Sequence, residues 1–246
     1  MASHSKAIVL VAGLLSIQAN SQEQVFEVAS VRPSLSGPVK VDADPIRLTV
    51  KAQAVDVLVR LAFGLREYQY QGPYWLHTAR YDIVATTSTP QTRLAQLEML
   101  RNLLIDRFKL KLHRESRSVP VYALVVAKGG PKLTPLDKAV PAPFELYSNF
   151  SIQPAPGDTS ELRGIGSLGQ FCDFLSRVAG RPVIDRTGLT GSFDLRLRCA
   201  IDGFPGEDTS PSVFDALPAQ MGLKLESQTA PIEITIIDHA EKPSSN

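Results

Sequence analysis

The chain has 246 residues, with 26 Lys and Arg against 25 Asp and Glu and a formal net charge of +1. A balance this even gives no basic excess for a nucleic-acid backbone to meet, which argues against that partner class. A 43% hydrophobic content is ordinary for a globular protein, and the length suffices for one large core or two small ones.

The N-terminus reads as an export signal. Lys6 gives it a positive start, residues 7–17 are apolar apart from Gly13 and Ser16, and Ala19-Asn20-Ser21 offers the small residues of a cleavage site. The run is shorter than the roughly 20 apolar residues of a membrane span, so cleavage after Ser21 is expected rather than an uncleaved anchor. Removing 1–21 takes away Lys6 and no acid, leaving 25 basic and 25 acidic side chains. No cysteine precedes Cys172, which excludes a lipid-modified N-terminal cysteine, and no later segment reads as a membrane span. The expected location is periplasmic or extracellular.

A first lobe is expected over 22–127. Residues 25–33 and 47–51 read as strands. Residues 54–63 read as a helix, with Val55, Leu58, Val59 and Ala62 on one face and Gly64 at its left-handed cap. Strands at 67–71 and 80–86 flank Gly72-Pro73. A helix at 93–107 places Leu94, Leu97, Leu100, Leu104 and Phe108 at helical spacing, and 109–114 with 119–127 reads as a hairpin. Residues 128–160 are broken by Pro and Gly and form a connecting segment, part of which, 144–152, is expected to pack on a sheet.

A second lobe is expected over 161–240, in the same order. It has a strand at 161–163, a helix capped by Ser167 and ended by Gly180, strands at 182–185 and 192–199 around a Gly-rich turn, and a helix at 212–221 kinked or shortened by Pro218. A hairpin of 223–227 and 232–237 closes it, and 241–246 is a polar tail. Tyr81-Asp82-Ile83 before Leu110-Lys111-Leu112 matches Phe193-Asp194-Leu195 before Leu223-Lys224-Leu225. The fold class is therefore α+β, with two tandem strand-helix-strand-strand-helix-strand-strand lobes related by internal duplication. The apolar strands 119–127 and 232–237 should be central, where the lobes meet.

Five segments resemble a large family of exported bacterial proteins of unknown function, abundant in soil acidobacteria. They are Phe26-Glu27-Val28-Ala29-Ser30-Val31-Arg32-Pro33, residues 103–110, residues 120–126, the run Arg181-Pro182-Val183-Ile184-Asp185-Arg186-Thr187-Gly188-Leu189-Thr190-Gly191, and Asp238-His239-Ala240-Glu241-Lys242-Pro243. That domain also occurs with membrane metallopeptidases of the beta-lactam-sensor type. The chain has no His-Glu-x-x-His motif and so resembles the non-peptidase partner of that arrangement. The family implies no activity, ligand or catalytic residue. The tandem unit also resembles the small periplasmic modules at the start of secretins and TonB-dependent receptors, which bind partner proteins.

Gly164-Ile165-Gly166-Ser167-Leu168-Gly169 matches a dinucleotide fingerprint, but the strand before it is short and polar, so a turn before a capped helix is expected and no cofactor. Asp82, Asp185, Asp194 and Asp238 end strands and read as turn or edge residues. His113, Glu115 and His239 lack metal-site spacing, adjacent Asp238 and His239 point to opposite faces, and His77 reads as a lone turn residue. Tyr68, Tyr70, Tyr74 and Trp75 form the favoured binding cluster, with Tyr68 and Tyr70 on one strand face. They either seal the first lobe or contact a partner. Arg196 and Arg198 share an outward face that could hold an anion. Cys172 and Cys199 should point into one core, as a disulfide or as two buried thiols. The sequence thus reads as an exported, non-catalytic binding or interaction module for an envelope protein or glycan. The alternative is an envelope hydrolase using Asp185, Asp194 or His113 in an inter-lobe cleft.

Overall fold

A computed structural model describes residues 24–34, 36–137, 150–157, 159–206 and 210–243. The expected signal sequence, residues 138–149 of the connecting segment and the end of the tail lie outside them. Over the described residues the fold is mixed α+β, with five α-helices and three four-stranded sheets.

The first half runs β1 (Val28–Pro33), β2 (Lys40–Asp44), β3 (Arg47–Ala54), α1 (Val55–Phe63), a 3-10 turn (Glu67–Gln69), β4 (Tyr70–Gln71), α2 (Trp75–Thr78), β5 (Arg80–Thr86), α3 (Arg93–Arg107) and β6 (Lys111–Val126). The second runs β7 (Thr134–Pro135), β8 (Phe150–Ala155), β9 (Thr159–Gly166), α4 (Leu168–Val178), β10 (Val183–Asp185), β11 (Phe193–Arg198), α5 (Val213–Ala216), a π turn (Leu217–Met221) and β12 (Leu223–His239).

Sheet one has the order β1-β5-β3-β2 and sheet three the order β7-β11-β9-β8, each antiparallel throughout. Period-two alternation specifies both. Tyr81, Ile83 and Ala85 point inward from β5, as Phe193, Leu195 and Leu197 do from β11. Helices α1 and α3 bring Leu58, Val59, Leu100 and Leu104 onto sheet one, closing the first core. Helix α4 and the π turn bring Phe171, Leu175 and Leu217 onto sheet three, closing the second. Gly64 ends α1 at φ 64°, where an L side chain would strain the cap. Along α3 the buried face differs from expectation. Leu94 is exposed, and Gln96 is buried instead, donating to Asp44 O at 2.5 Å.

The middle sheet, β10-β6-β12-β4, corrects the expected hairpins. Residues 111–126 and 223–239 are single long strands that pair with each other, antiparallel, from Leu112 opposite Ile237 to Val126 opposite Leu223. Pro120 and Pro231, inside polar stretches, look like turn residues. They fit the ladder because the ribbon is two-stranded there, and a proline's missing N–H can face outward. β10 joins β6 in parallel at Tyr122, Ala123 and Leu124, and β4 joins β12 in parallel at Thr235 and Ile236. Both long strands therefore reach both cores: Ile237 lies in the first, and Leu124 and Leu223 lie in the second. Their middles form a third cluster of Val121, Ala230, Ile232 and Ile234.

Other expectations shift locally. Residues 67–71 are a 3-10 turn and a two-residue strand, not one strand. The helix expected at 212–221 is α5 followed by the π turn, with Pro218 in the first π positions. The 128–160 segment carries β7, β8 and the start of β9. The glycine fingerprint lies in antiparallel β9 and the start of α4, so the parallel βαβ setting of a dinucleotide site is not formed. Gly166 instead makes room for the α4 cap. A Cβ there would stand 2.5 Å from Gln170 Oε1, which accepts from Ser167 N at 2.9 Å.

Candidate functional site

The four aromatic residues divide between two surroundings. Tyr68, in the 3-10 turn, packs on the ribbon cluster, and its hydroxyl accepts from Arg66 Nη1 at 3.0 Å. Tyr70 lies beside Thr235 in β4 and packs on the first core with Trp75. The expected shared face of Tyr68 and Tyr70 is lost because the chain turns between them. Gly72 lets the Tyr70 ring lie close, since a Cβ there would be 2.6 Å from Tyr70 Oη. Trp75 is half-buried, with Lys242 Nζ 5.9 Å from its ring centroid. Tyr74 projects at 79% exposure, although large aromatic side chains usually bury.

His77 is not a lone turn residue. Its Nδ1 stands 2.9 Å from Asp56 Oδ2, and Arg60 Nη2 lies 3.3 Å from the same oxygen. Asp56 is 5% exposed, at the second position of α1, where a carboxylate also faces the positive helix end. The His77 ring sits between two tyrosines, edge-on to Tyr70 at 5.8 Å and tilted against Tyr74 at 6.2 Å. Asp56 Oδ1, Arg60 Nε and Tyr70 Oη are buried here with no hydrogen-bond partner among the described residues. Burial first, then the Asp56 charge, pushes the Tyr70 hydroxyl well above the usual tyrosine range, with Arg60 opposing. The i,i+4 pair Asp56–Arg60 was visible in the sequence as ordinary helix charge. Nothing local signalled that His77, 21 residues away, would close on it.

The remaining candidates do not join this corner. Arg196 pairs with Asp194 at 2.9 Å and Arg198 with Glu161 at 3.3 Å, on the outward face of sheet three. Asp185 Oδ1 accepts from Thr187 N and Oγ1, a turn role. Asp82 accepts from Ala52 N at 2.8 Å and Lys51 Nζ at 3.0 Å, holding a bulge in β3 where Ala52 has φ 48°. His113 Nδ1 lies 2.8 Å from Asp238 across the ribbon, and His239 pairs separately with Glu241. No group of three metal-type ligands forms among the described residues. His113 and Leu124, the strand partner of Asp185, stand near opposite ends of β6, roughly 35 Å apart at the usual strand rise.

Cys172 and Cys199 both lie in the second core, as free, buried thiols. Burial pushes the Cys199 thiol up to about 11 and Cys172 higher still. The halves also meet through charge: Arg66 Nε stands 2.5 Å from Asp173 Oδ1 on α4, and Arg177 Nε stands 3.7 Å from Glu67 Oε2. No described helix is long and apolar enough to cross a membrane.

Against known families, residues 56–240 match one described as a protein of unknown function, DUF3738. No curated protein and no solved structure matches the chain.

Proposed function

The chain belongs to the DUF3738 family, a family of unknown function, and we propose that it is an exported, non-catalytic binding module of the cell envelope, working through the corner formed by Tyr74, Trp75 and His77. The observation that carries this reading is Tyr74: a nearly free aromatic ring, held by a short helix beside an imidazole and a half-buried indole. Such a ring offers stacking area at small entropic cost. The apolar N-terminal run and its small-residue site support export. The five matching segments support kinship with the exported acidobacterial proteins and with the partners of sensor-type peptidases.

We propose further that the halves are copies of one module. The strand orders β1-β5-β3-β2 and β7-β11-β9-β8 correspond place for place. Pro33 faces Tyr81 as Pro135 faces Phe193. The interval from Tyr70 to Val183 equals that from Tyr122 to Thr235, so β4 meets β12 as β10 meets β6. In this reading each copy lends its last strand to the other.

The hydrolase alternative has less support, because Asp185, Asp194 and His113 are each engaged on separate elements. The test of the binding reading is co-sedimentation of purified protein with insoluble envelope material. Tyr74→Ala with Trp75→Ala should cut the bound fraction at least about fivefold, in the range of a lost aromatic anchor. An unchanged fraction contradicts the surface.

A further inference from the structure

The duplication separates what the fold needs from what one copy has added. Asp56 is the second residue of α1, and the second residue of α4 is Gly169. Tyr70 sits against β12 where Val183 sits against β6. The connection 186–192, which takes the place of 72–79, carries no histidine. One copy thus has Gly and Val where the other has Asp56 and Tyr70, and its connection has no counterpart of His77. Packing alone does not ask for the polar set.

The polar set is also costly. Asp56 Oδ1, Arg60 Nε and Tyr70 Oη are buried without partners among the described residues, and a buried polar group left unpaired bears its full desolvation penalty. A cluster of three such groups around one exposed histidine is a local rule broken in the way functional sites break it. These three atoms lie out of a ligand's reach. His77 is the exposed member, with 45% of its side chain open, and the set acts through it.

From this we infer that His77 is the ligand-contacting residue of a sugar-hydroxyl subsite, with Asp56 as its positioning residue. A carboxylate paired with Arg60 can only accept, so the His77 Nδ1 carries the proton that it donates to Asp56. In the neutral form of the ring Nε2 is left as an acceptor, and it has no partner among the described residues. Beside it the Tyr74 ring stands 6.2 Å away, centroid to centroid. An aromatic platform next to a fixed hydroxyl acceptor suits a neutral pyranose: the ring's C–H face stacks and a hydroxyl donates. The inference rests on the binding role proposed above and names its ligand class.

Trp75 is the single tryptophan of the chain, so its emission reports on this corner alone. Cellohexaose, chitohexaose and maltohexaose are titrated into the whole protein, and Trp75 fluorescence is followed. At least one should give a saturable change. His77→Phe, which keeps a ring and removes Nε2, should weaken that binding about tenfold, the size of one lost hydrogen bond to a buried ligand group. Nitrogen-15 NMR of His77 should show a protonated Nδ1 and a bare Nε2, with Nε2 shifting as sugar is added. In Asp56→Asn, checked for folding by circular dichroism, that tautomer signature should be lost. If sugar binds and Tyr74→Ala weakens it while His77→Phe does not, the subsite is wrong and the binding surface stands. If no probe perturbs Trp75, the sugar class is wrong; envelope co-sedimentation that still depends on Tyr74 then keeps the binding role for another ligand, and its loss removes both.

Discussion

At the scale of single residues, Asp173 shows how a charge at the junction of the halves is balanced. Loss of hydration pushes its carboxyl up to about 6, while the Arg66 charge and then the Arg177 charge pull it down. The 2.5 Å approach of Arg66 Nε lacks hydrogen-bond alignment, so Oδ1 counts as unpartnered despite its ion pair. A raised folded pKa means that the native protein holds a proton the unfolded chain has released. The stability this contributes is complete below the ordinary value of 3.8 and lost as pH rises through about 6. The side chain is 39% exposed, which keeps the effect small. Between pH 4.5 and 7.5, urea midpoints of Asp173→Asn should therefore rise relative to those of the native protein. A difference that does not change with pH contradicts the assignment. Neither this residue nor Asp56 was legible as special in the sequence. Each reads as one helix carboxylate among many, and burial comes from elements distant in the chain.

At the scale of elements, what was legible followed period. β5 and α3 fall at 80–86 and 93–107 as read, because alternation and caps are local properties. Ser167 and Gln170 form the reciprocal cap at α4, of which the reading had placed Ser167. The ribbon was legible only in pieces: 119–127 and 232–237 were read as central strands, but not their continuation or their pairing with each other. Its center is polar and proline-bearing, and only pairing with a strand over a hundred residues away keeps β6 and β12 extended. The corner was legible in part. The tyrosines and Trp75 were found as a cluster, but the turn that sends Tyr68 elsewhere was read as strand. The ribbon's entry also depends on one backbone position. Gly222 ends the π turn at φ 63°, and a Cβ there would stand 2.0 Å from Gly130 O. Gly222→Ala combines left-handed strain with a backbone clash, and should cost about 3 kcal/mol or more in chemical denaturation. A cost under about 1 kcal/mol contradicts this account of the junction.

At the scale of the whole molecule, the halves do not have separate ribbons to keep if the other unfolds. β6 follows the first half's helices yet pairs with β10, and β12 follows the second half's helices yet pairs with β4. Leu124 and Leu223 belong to one core and Ile237 to the other, so opening either core strips a strand that the other core uses. Shared strands should make folding cooperative across the whole chain. The sequence supplies a probe for each half: Trp75 packs on the first core, and Cys172 and Cys199 are buried free thiols in the second. The most direct measurement is equilibrium guanidinium unfolding followed at once by Trp75 emission and by thiol reactivity. Interlocked halves predict one midpoint and one slope for both probes, with neither thiol reacting before the indole is exposed. Two separated transitions contradict the exchange of strands.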